Sequence, residues 1–235
     1  MAQPRTPHAP GPAGLPAASP LRARWDERLA FLLLATTTGV LVVSPLLPDT
    51  IGGRAVLQAL ITSVILIAAQ LERHQRAFAG TVVLIAAWFG ASWAAVLHPL
   101  PPRWLALTAH VLSVLVLLVG FWGTLRRVFA AREVDASSVA AGICGYLLMA
   151  LVWTSLYQLV ATVDPTAFQG GLTGSTLTEA AYFSLVTITT VGYGDIVAHS
   201  PVARIWSGLE AVAGNLYIAV LIARLVSRWQ SRPHR

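Results

Sequence analysis

The residues Thr190-Val191-Gly192-Tyr193-Gly194-Asp195 lie between two long apolar segments. A backbone of this composition suits one kind of chemistry. Its carbonyl oxygens can be turned toward a common axis, where they replace the hydration shell of a K⁺ ion. Gly192 and Gly194 serve that purpose because alternate residues must enter conformations that a Cβ atom penalises. The side chains of Val191 and Tyr193 then point away from the ion path and wedge the backbone against its surroundings. A closed ring of oxygens needs four copies, and the chain carries one such stretch, so the reading calls for a homotetramer. A Gly-Tyr-Gly run taken alone also marks an ordinary turn. What separates the two readings is the setting, since a short motif means something only in the right structural context.

That setting is a membrane. The chain has 235 residues, of which 56% are hydrophobic and 11% charged, and its mean hydropathy is +0.68. Soluble domains carry about 25% charge. A hydrocarbon core of about 30 Å needs about 20 helical residues. Runs of that order are predicted at Leu29–Leu47, Ala55–Leu71, Ala77–Leu97, Trp104–Leu125, Val139–Val163 and Val202–Ser227. Leu177–Thr189 is too short to cross and fits a re-entrant helix. The fold class is therefore an all-α membrane protein with six transmembrane helices, a re-entrant helix and a filter loop.

Arginine supplies all sixteen basic residues, and its placement tests the topology independently. With six spans, thirteen arginines fall on the side of the termini, while Arg54, Arg103 and Arg204 fall on the other. The positive-inside rule then sets both termini in the cytoplasm of a multi-pass plasma-membrane protein and the 190–195 segment at the outer face. The +6 charge reports orientation and contact with the lipid bilayer rather than nucleic-acid binding.

Four regions follow. Residues 1–28, with six prolines before Leu21, read as a disordered cytoplasmic leader. Residues 29–125 form a four-helix front domain. Residues 139–227 form a pore unit of outer helix, linker, re-entrant helix, filter and inner helix. Residues 228–235 are a short basic tail, too short for a cytoplasmic ligand-sensing domain, though a separate regulatory subunit stays open. Thr176-x-x-Glu179 fits a capping box at the start of the re-entrant helix. The far end of that helix, near Thr189, turns its partial negative charge toward the membrane centre, which favours a cation there.

The stretch from the outer helix through Thr190–Gly194 and Asp195 to Arg204 and Gly214 resembles the pore module of the potassium-channel superfamily, over about ninety residues of the 235. The resemblance implies that Thr190 lends its hydroxyl and carbonyl to the innermost ion site and that Val191, Gly192 and Tyr193 lend carbonyls above it. Gly194 completes the mouth, Tyr182 braces the filter through Asp195 or Tyr193, and Gly214 falls at the family's hinge glycine, with Gly208 as a nearby competitor. Thr189 and Asp195 support the filter from either end. At Val186 some bacterial relatives carry a glutamate paired with the filter aspartate, so gating through that carboxyl pair is not expected here.

On the inner helix, Asn215, Ile218 and Ile222 share a face at helical spacing. That face either lines the central cavity or packs against a neighbour. Glu210 lies about 12 Å into its helix at 1.5 Å per residue, and acids inside a membrane are functional candidates by default. It either bonds hydroxyls of the re-entrant helix such as Ser184 or Thr187, or it senses protons. Arg224 is expected to snorkel to the inner interface, and Cys144, the only cysteine, to be a buried packing residue.

Other functions meet specific obstacles. Steep voltage sensing needs arginine at every third position of one span, and 104–125 contains none. His98 and His110 raise a haem or redox reading, but ligation would need stacked helical pairs, and isolated histidines beside proline and leucine read as packing or interface residues. No phosphate loop or nucleophile elbow marks an enzyme, and no repeated broken spans mark a transporter. No cofactor is expected, K⁺ entering only as the permeant ion, with a non-selective cation pore of the same fold as the alternative.

Overall fold

A computed structural model describes residues 20–48, 50–70, 78–98, 101–130, 135–173 and 177–230. The elements run α1 (Pro20–Val43), a single 3₁₀ turn (Ser44–Leu46), α2 (Ile51–Gln70), α3 (Phe78–Leu97), α4 (Arg103–Ala130), α5 (Ala136–Val163), β1 (Phe168–Gln169), α6 (Leu177–Ile188), β2 (Val197–Ala198) and α7 (Pro201–Gln230). Six of the helices are long and apolar enough to cross a membrane, and α6 is too short. The protein is an all-α, multi-pass membrane protein.

The helices start where local chemistry satisfies their free N–H groups. Asp135 caps α5 by accepting a 2.9 Å bond from the Ser138 N–H. Ser200 accepts from the Ala203 N–H at 3.2 Å, and Pro201 occupies the first helical position of α7, where a missing N–H costs nothing. Several ends differ from the sequence reading. α1 begins at Pro20, ahead of Leu29, so part of the leader is helical. α4 runs past Leu125 to Ala130, because Arg126 and Arg127 continue its helix beyond the apolar stretch. The rest of the leader, Thr176 of the expected capping box and the last five residues lie outside the described residues.

α5 is the spine of the fold. It packs against α1, α4, α6 and α7, and 67% of its apolar window is buried, against 11% of that of α7. Small residues make this crowding possible, as they do wherever membrane helices approach closely. Cys144 is fully buried, with its sulfur 3.8 Å from the Thr37 hydroxyl of α1. Gly145 leaves room for Tyr217 of α7 and Gly142 for Leu221, and the Tyr217 hydroxyl donates to the Gly142 carbonyl at 2.7 Å. Tyr217 also packs at a tilt against Phe121 of α4 and Tyr146 of α5, with ring centres 6.2 and 5.9 Å apart.

A second cluster surrounds α6. Tyr157, Phe168 and Phe183 meet edge to face at 4.9 to 5.6 Å, the arrangement aromatic quadrupoles prefer. The linker before α6 returns to the segment after Asp195 through the antiparallel pair β1–β2, with Phe168 opposite Ala198 and Gln169 opposite Val197. This pairing fastens the loop at both ends. Nothing in the hydrophobic pattern announced it, because two-residue strands carry no periodicity.

Candidate functional site

The 190–195 loop leaves α6 by a specific set of main-chain bonds. Thr190 N–H donates to Thr187 O at 2.9 Å, Val191 N–H to Val186 O at 3.0 Å, and Gly192 N–H to Val186 O at 3.3 Å. Every described peptide bond is trans, so each carbonyl points opposite to the N–H of the next residue. The carbonyls of Thr189, Thr190 and Val191 therefore point away from α6. Among the described residues no backbone hydrogen bond ends on the carbonyls of 189–193.

Alternation is also present. Thr190, Gly192 and Gly194 have φ of 59°, 58° and 82°, while Val191 and Tyr193 do not enter the left-handed region. Glycine removes the Cβ penalty at two of the three positions. Thr190 carries it, at a cost of about 1–3 kcal/mol, held in place by its bond to Thr187 O. Val191 and Tyr193 are 53% and 72% exposed.

The outer end is braced by two aromatic rings and a carboxylate. Tyr182 of α6 donates through its hydroxyl to Asp195 Oδ2 at 2.7 Å. Its ring lies parallel to that of Tyr193, with centres 6.5 Å apart. That hydrogen bond holds the Asp195 carboxyl below the usual carboxylate range. At the other end the Thr189 hydroxyl closes back on Leu185 O at 2.6 Å, and Tyr146 of α5 donates to Ile188 O at 3.1 Å.

Beneath α6, Glu210 of α7 is fully buried. Tyr157 of α5 donates to its Oε2 and Ser184 of α6 to its Oε1, both at 2.5 Å. Of the two hydroxyls read from sequence, Ser184 is the partner and Thr187 is not. Tyr157 was missed, because it is fifty-three residues away in the chain. One carboxyl thus ties α5, α6 and α7 together. Gly214, also buried, faces Ile188. α7 runs unbroken through it, and its lack of a side chain serves a close approach. Gly208 has no such neighbour. Asn215, Ile218 and Ile222 are exposed, so the chain's own elements do not cover their face.

The matching family, described as "Ion channel", covers residues 141–231, the span from α5 through the loop to α7. Its match coincides with the geometry just described. The resemblance is to the potassium-channel superfamily. Over 83 residues the chain is 32% identical to the inward rectifier potassium channel Kirbac3.1 of Paramagnetospirillum magnetotacticum, covering 35% of this chain and 28% of that one. It is 30% identical over 78 residues to the putative potassium channel protein YugO of Bacillus subtilis, covering 33% and 22%. It is 28% identical over 99 residues to the two-pore potassium channel 4 of Arabidopsis thaliana, covering 41% and 35%. The chain spans from 19% to 35% of the length of the curated relatives it matches.

Two arginines hold α4 to the matched stretch. At one end Arg103, opening α4, donates to the Val163 carbonyl that closes α5. At the other, Arg224 of α7 donates to the Phe129 carbonyl of α4 at 2.6 Å, with its guanidinium 4.9 Å from the Phe129 ring centre. Arg224 was expected to reach for the interface. Its guanidinium satisfies a free carbonyl at the end of α4, which a cation there also complements electrostatically. His98 is exposed just beyond α3, and His110 borders a cavity in the front half.

Proposed function

We propose that this chain is the subunit of a K⁺-selective channel that conducts passively, without catalysis or cofactor. Four copies surround one axis, and the carbonyls of Thr190, Val191, Gly192 and Tyr193, with the Thr190 hydroxyl, take the place of water around the ion. The observation that carries this reading is the direction of the loop: the N–H groups of Thr190, Val191 and Gly192 turn back onto α6, the carbonyls of Thr189, Thr190 and Val191 face away, and among the described residues no backbone bond ends on the carbonyls of 189–193. Carbonyl dipoles held in this way replace hydration without moving at the moment of binding.

Two features support the tetramer. Val191 and Tyr193 are large apolar side chains left in the open, and α7 exposes most of its apolar length, whereas exposed apolar patches of this extent mark interfaces or lipid contact. Asn215, Ile218 and Ile222 would line the cavity below the ring, with Gly214 seating α7 against Ile188. α6 aims its C-terminal end at the same place, where its dipole favours a cation.

The arginine asymmetry supports a plasma-membrane protein with both termini in the cytoplasm. α4 carries arginine only near its two ends, at Arg103, Arg126 and Arg127, so the front domain is not expected to move several charges through the field. Constitutive leak, or opening by lipid tension, protons or a partner subunit, is left for the pore.

The test is a bilayer recording of the purified protein in opposed K⁺ and Na⁺ gradients, stepped through voltage and pH. A reversal potential near the K⁺ value is expected. Reversal midway between the two ions would replace this reading with a non-selective cation pore, and absence of any current together with a monomeric particle would overturn both.

A further inference from the structure

The segment 167–171, between α5 and α6, lies against the outgoing end of the ion loop and meets it at three places. Ala167, fully buried, accepts through its carbonyl from the main-chain N–H of His199 at 2.7 Å and of Ser200 at 3.2 Å. Phe168 and Gln169 pair antiparallel with Ala198 and Val197, and the Gln169 side-chain amide lies 3.2 Å from His199 Nδ1. Gly170 then runs directly against Asp195. A Cβ built on Gly170 would overlap the Asp195 carbonyl oxygen and lie 2.9 Å from both the Asp195 carbonyl carbon and Ile196 Cα. All three are main-chain atoms, which cannot swing aside as a flexible side chain can.

The segment is itself held from behind. The Phe168 ring is buried and meets Tyr157 of α5 and Phe183 of α6 edge to face, at 5.6 and 5.2 Å. Leu172 is buried in the same cluster. Pressure on Asp195 is therefore passed to two helices rather than to a free turn. Asp195 is held on two sides, by Gly170 at its main chain and by Tyr182 at its carboxyl. It follows directly on Gly194, so whatever fixes it also fixes the direction of the last carbonyls of the loop.

Backbone conformation alone does not account for the glycine. Gly170 and Gly171 have φ of 97° and 99°, a region in which a side chain is strained. Only Gly170 also has a neighbour, since a Cβ on Gly171 would meet nothing within 4 Å among the described residues. The two adjacent glycines thus separate conformational strain from contact.

We infer that Gly170 is a positioning residue for ion conduction: its missing side chain lets the 167–171 segment seat on the Asp195 peptide and hold the outer end of the 190–194 carbonyl row in its ion-binding direction. The inference rests on the K⁺-channel reading above. A Cβ at Gly170 pushes Asp195 off this seat and favours loop arrangements that no longer surround an ion. K⁺ binds only the ordered arrangement, so by mass action it opposes that change. A loosened seat therefore shows as a stronger dependence of the current on external K⁺.

The test compares wild type, Gly170→Ala, Gly171→Ala and Gln169→Ala, each as the purified full chain in bilayers. Reversal potential in opposed K⁺ and Na⁺ gradients and persistence of current as external K⁺ is lowered are recorded, with particle size and unfolding temperature measured on the same preparations. Gly170→Ala should raise the external K⁺ that sustains half of the current by about tenfold, within the range by which overpacking shifts an equilibrium, and high external K⁺ should restore the current. Gly171→Ala, which carries the same strain without the contact, should leave that concentration at the wild-type value. Gln169→Ala loosens the clasp to His199 without adding an atom to the chain, and a smaller shift in the same direction is expected. It decides the question if Gly170→Ala does not assemble. Equal K⁺ dependence in Gly170→Ala and Gly171→Ala overturns the inference, as does a wild-type dependence in Gln169→Ala where Gly170→Ala fails to assemble. A wild type that shows no K⁺ selectivity overturns the channel reading instead, so the two failures are told apart by the wild-type recording.

Discussion

Gly214 of α7 lies against Ile188, the last residue of α6: a Cβ built on the glycine would come within 2.6 Å of Ile188 Cγ1 and 2.7 Å of Ile188 O. The second of these is backbone, and it is the same carbonyl that accepts the Tyr146 hydroxyl. The inner helix and the base of the ion loop are thus in direct contact. Gly214→Ala forces the two apart, and overpacking of this kind costs about 1–3 kcal/mol. A lower unfolding temperature and reduced K⁺ current are expected. Gly208→Ala, which meets nothing within 4 Å in the chain, should leave the unfolding temperature unchanged. Identical behaviour of the two variants would remove the close-approach role.

In the proposed topology the titration of Asp195 is controlled by the outer solution. Because the Tyr182 hydroxyl bonds its ionised form, its carboxyl is depressed relative to an ordinary aspartate at about 3.9. The brace it provides is present above that value and is lost as the pH falls through the depressed one. Tyr182→Phe removes the donor. The acid-dependent loss of current that the brace sets should then disappear, as it should in Asp195→Asn. Recordings at external pH between about 3 and 6, bracketing the ordinary aspartate value, decide this, and an unchanged acid-dependent loss in Tyr182→Phe would count against the brace.

Glu210 should tolerate loss of charge but not loss of shape. Ser184 has one hydroxyl proton and two acceptors in reach, Glu210 Oε1 at 2.5 Å and Ala150 O at 2.9 Å. In Glu210→Gln, an amide N–H can donate to Ser184 while the amide oxygen keeps accepting from Tyr157. Glu210→Leu takes the acceptor from the Tyr157 hydroxyl, at about 1–3 kcal/mol, while Ser184 keeps Ala150 O. Thermal unfolding of the purified assembly should therefore place Gln close to wild type and Leu well below it. Tyr157→Phe combined with Glu210→Leu should cost less than the sum of the two, since the stranded hydroxyl is gone. Additive losses would mean that the pair does not act together.

Arg224 joins the inner end of α7 to the end of α4 through Phe129 O. The contact is exposed, so its net worth is about 1 kcal/mol, equivalent to roughly a fivefold change in an equilibrium. Arg224→Leu should change the ratio of open to closed time by about that factor while leaving the reversal potential alone. Single-channel recording separates the two quantities. A changed reversal potential with unchanged open time would move the role of Arg224 from gating to conduction.

The sequence by itself determined what depends on neighbours in the chain. Six apolar runs of membrane length are read from composition, and Thr190 to Gly194 can be read because alternating φ demands glycine at fixed positions. The shared face of Asn215, Ile218 and Ile222 follows from helix geometry alone. Tertiary structure decided which faces meet, and that is where the remaining chemistry lies. No local pattern links Tyr157 to Glu210, Tyr217 to Gly142 or Arg224 to Phe129, because a hydrogen-bond partner on another helix is chosen by packing across tens of residues. The β1–β2 clasp was invisible for the same reason, being held by two facing residues on each side. Glu210 read only as an acid inside a helix until α5 and α6 brought the Tyr157 and Ser184 hydroxyls to it, since whether a buried polar atom is satisfied depends on what other elements bring within about 3 Å of it.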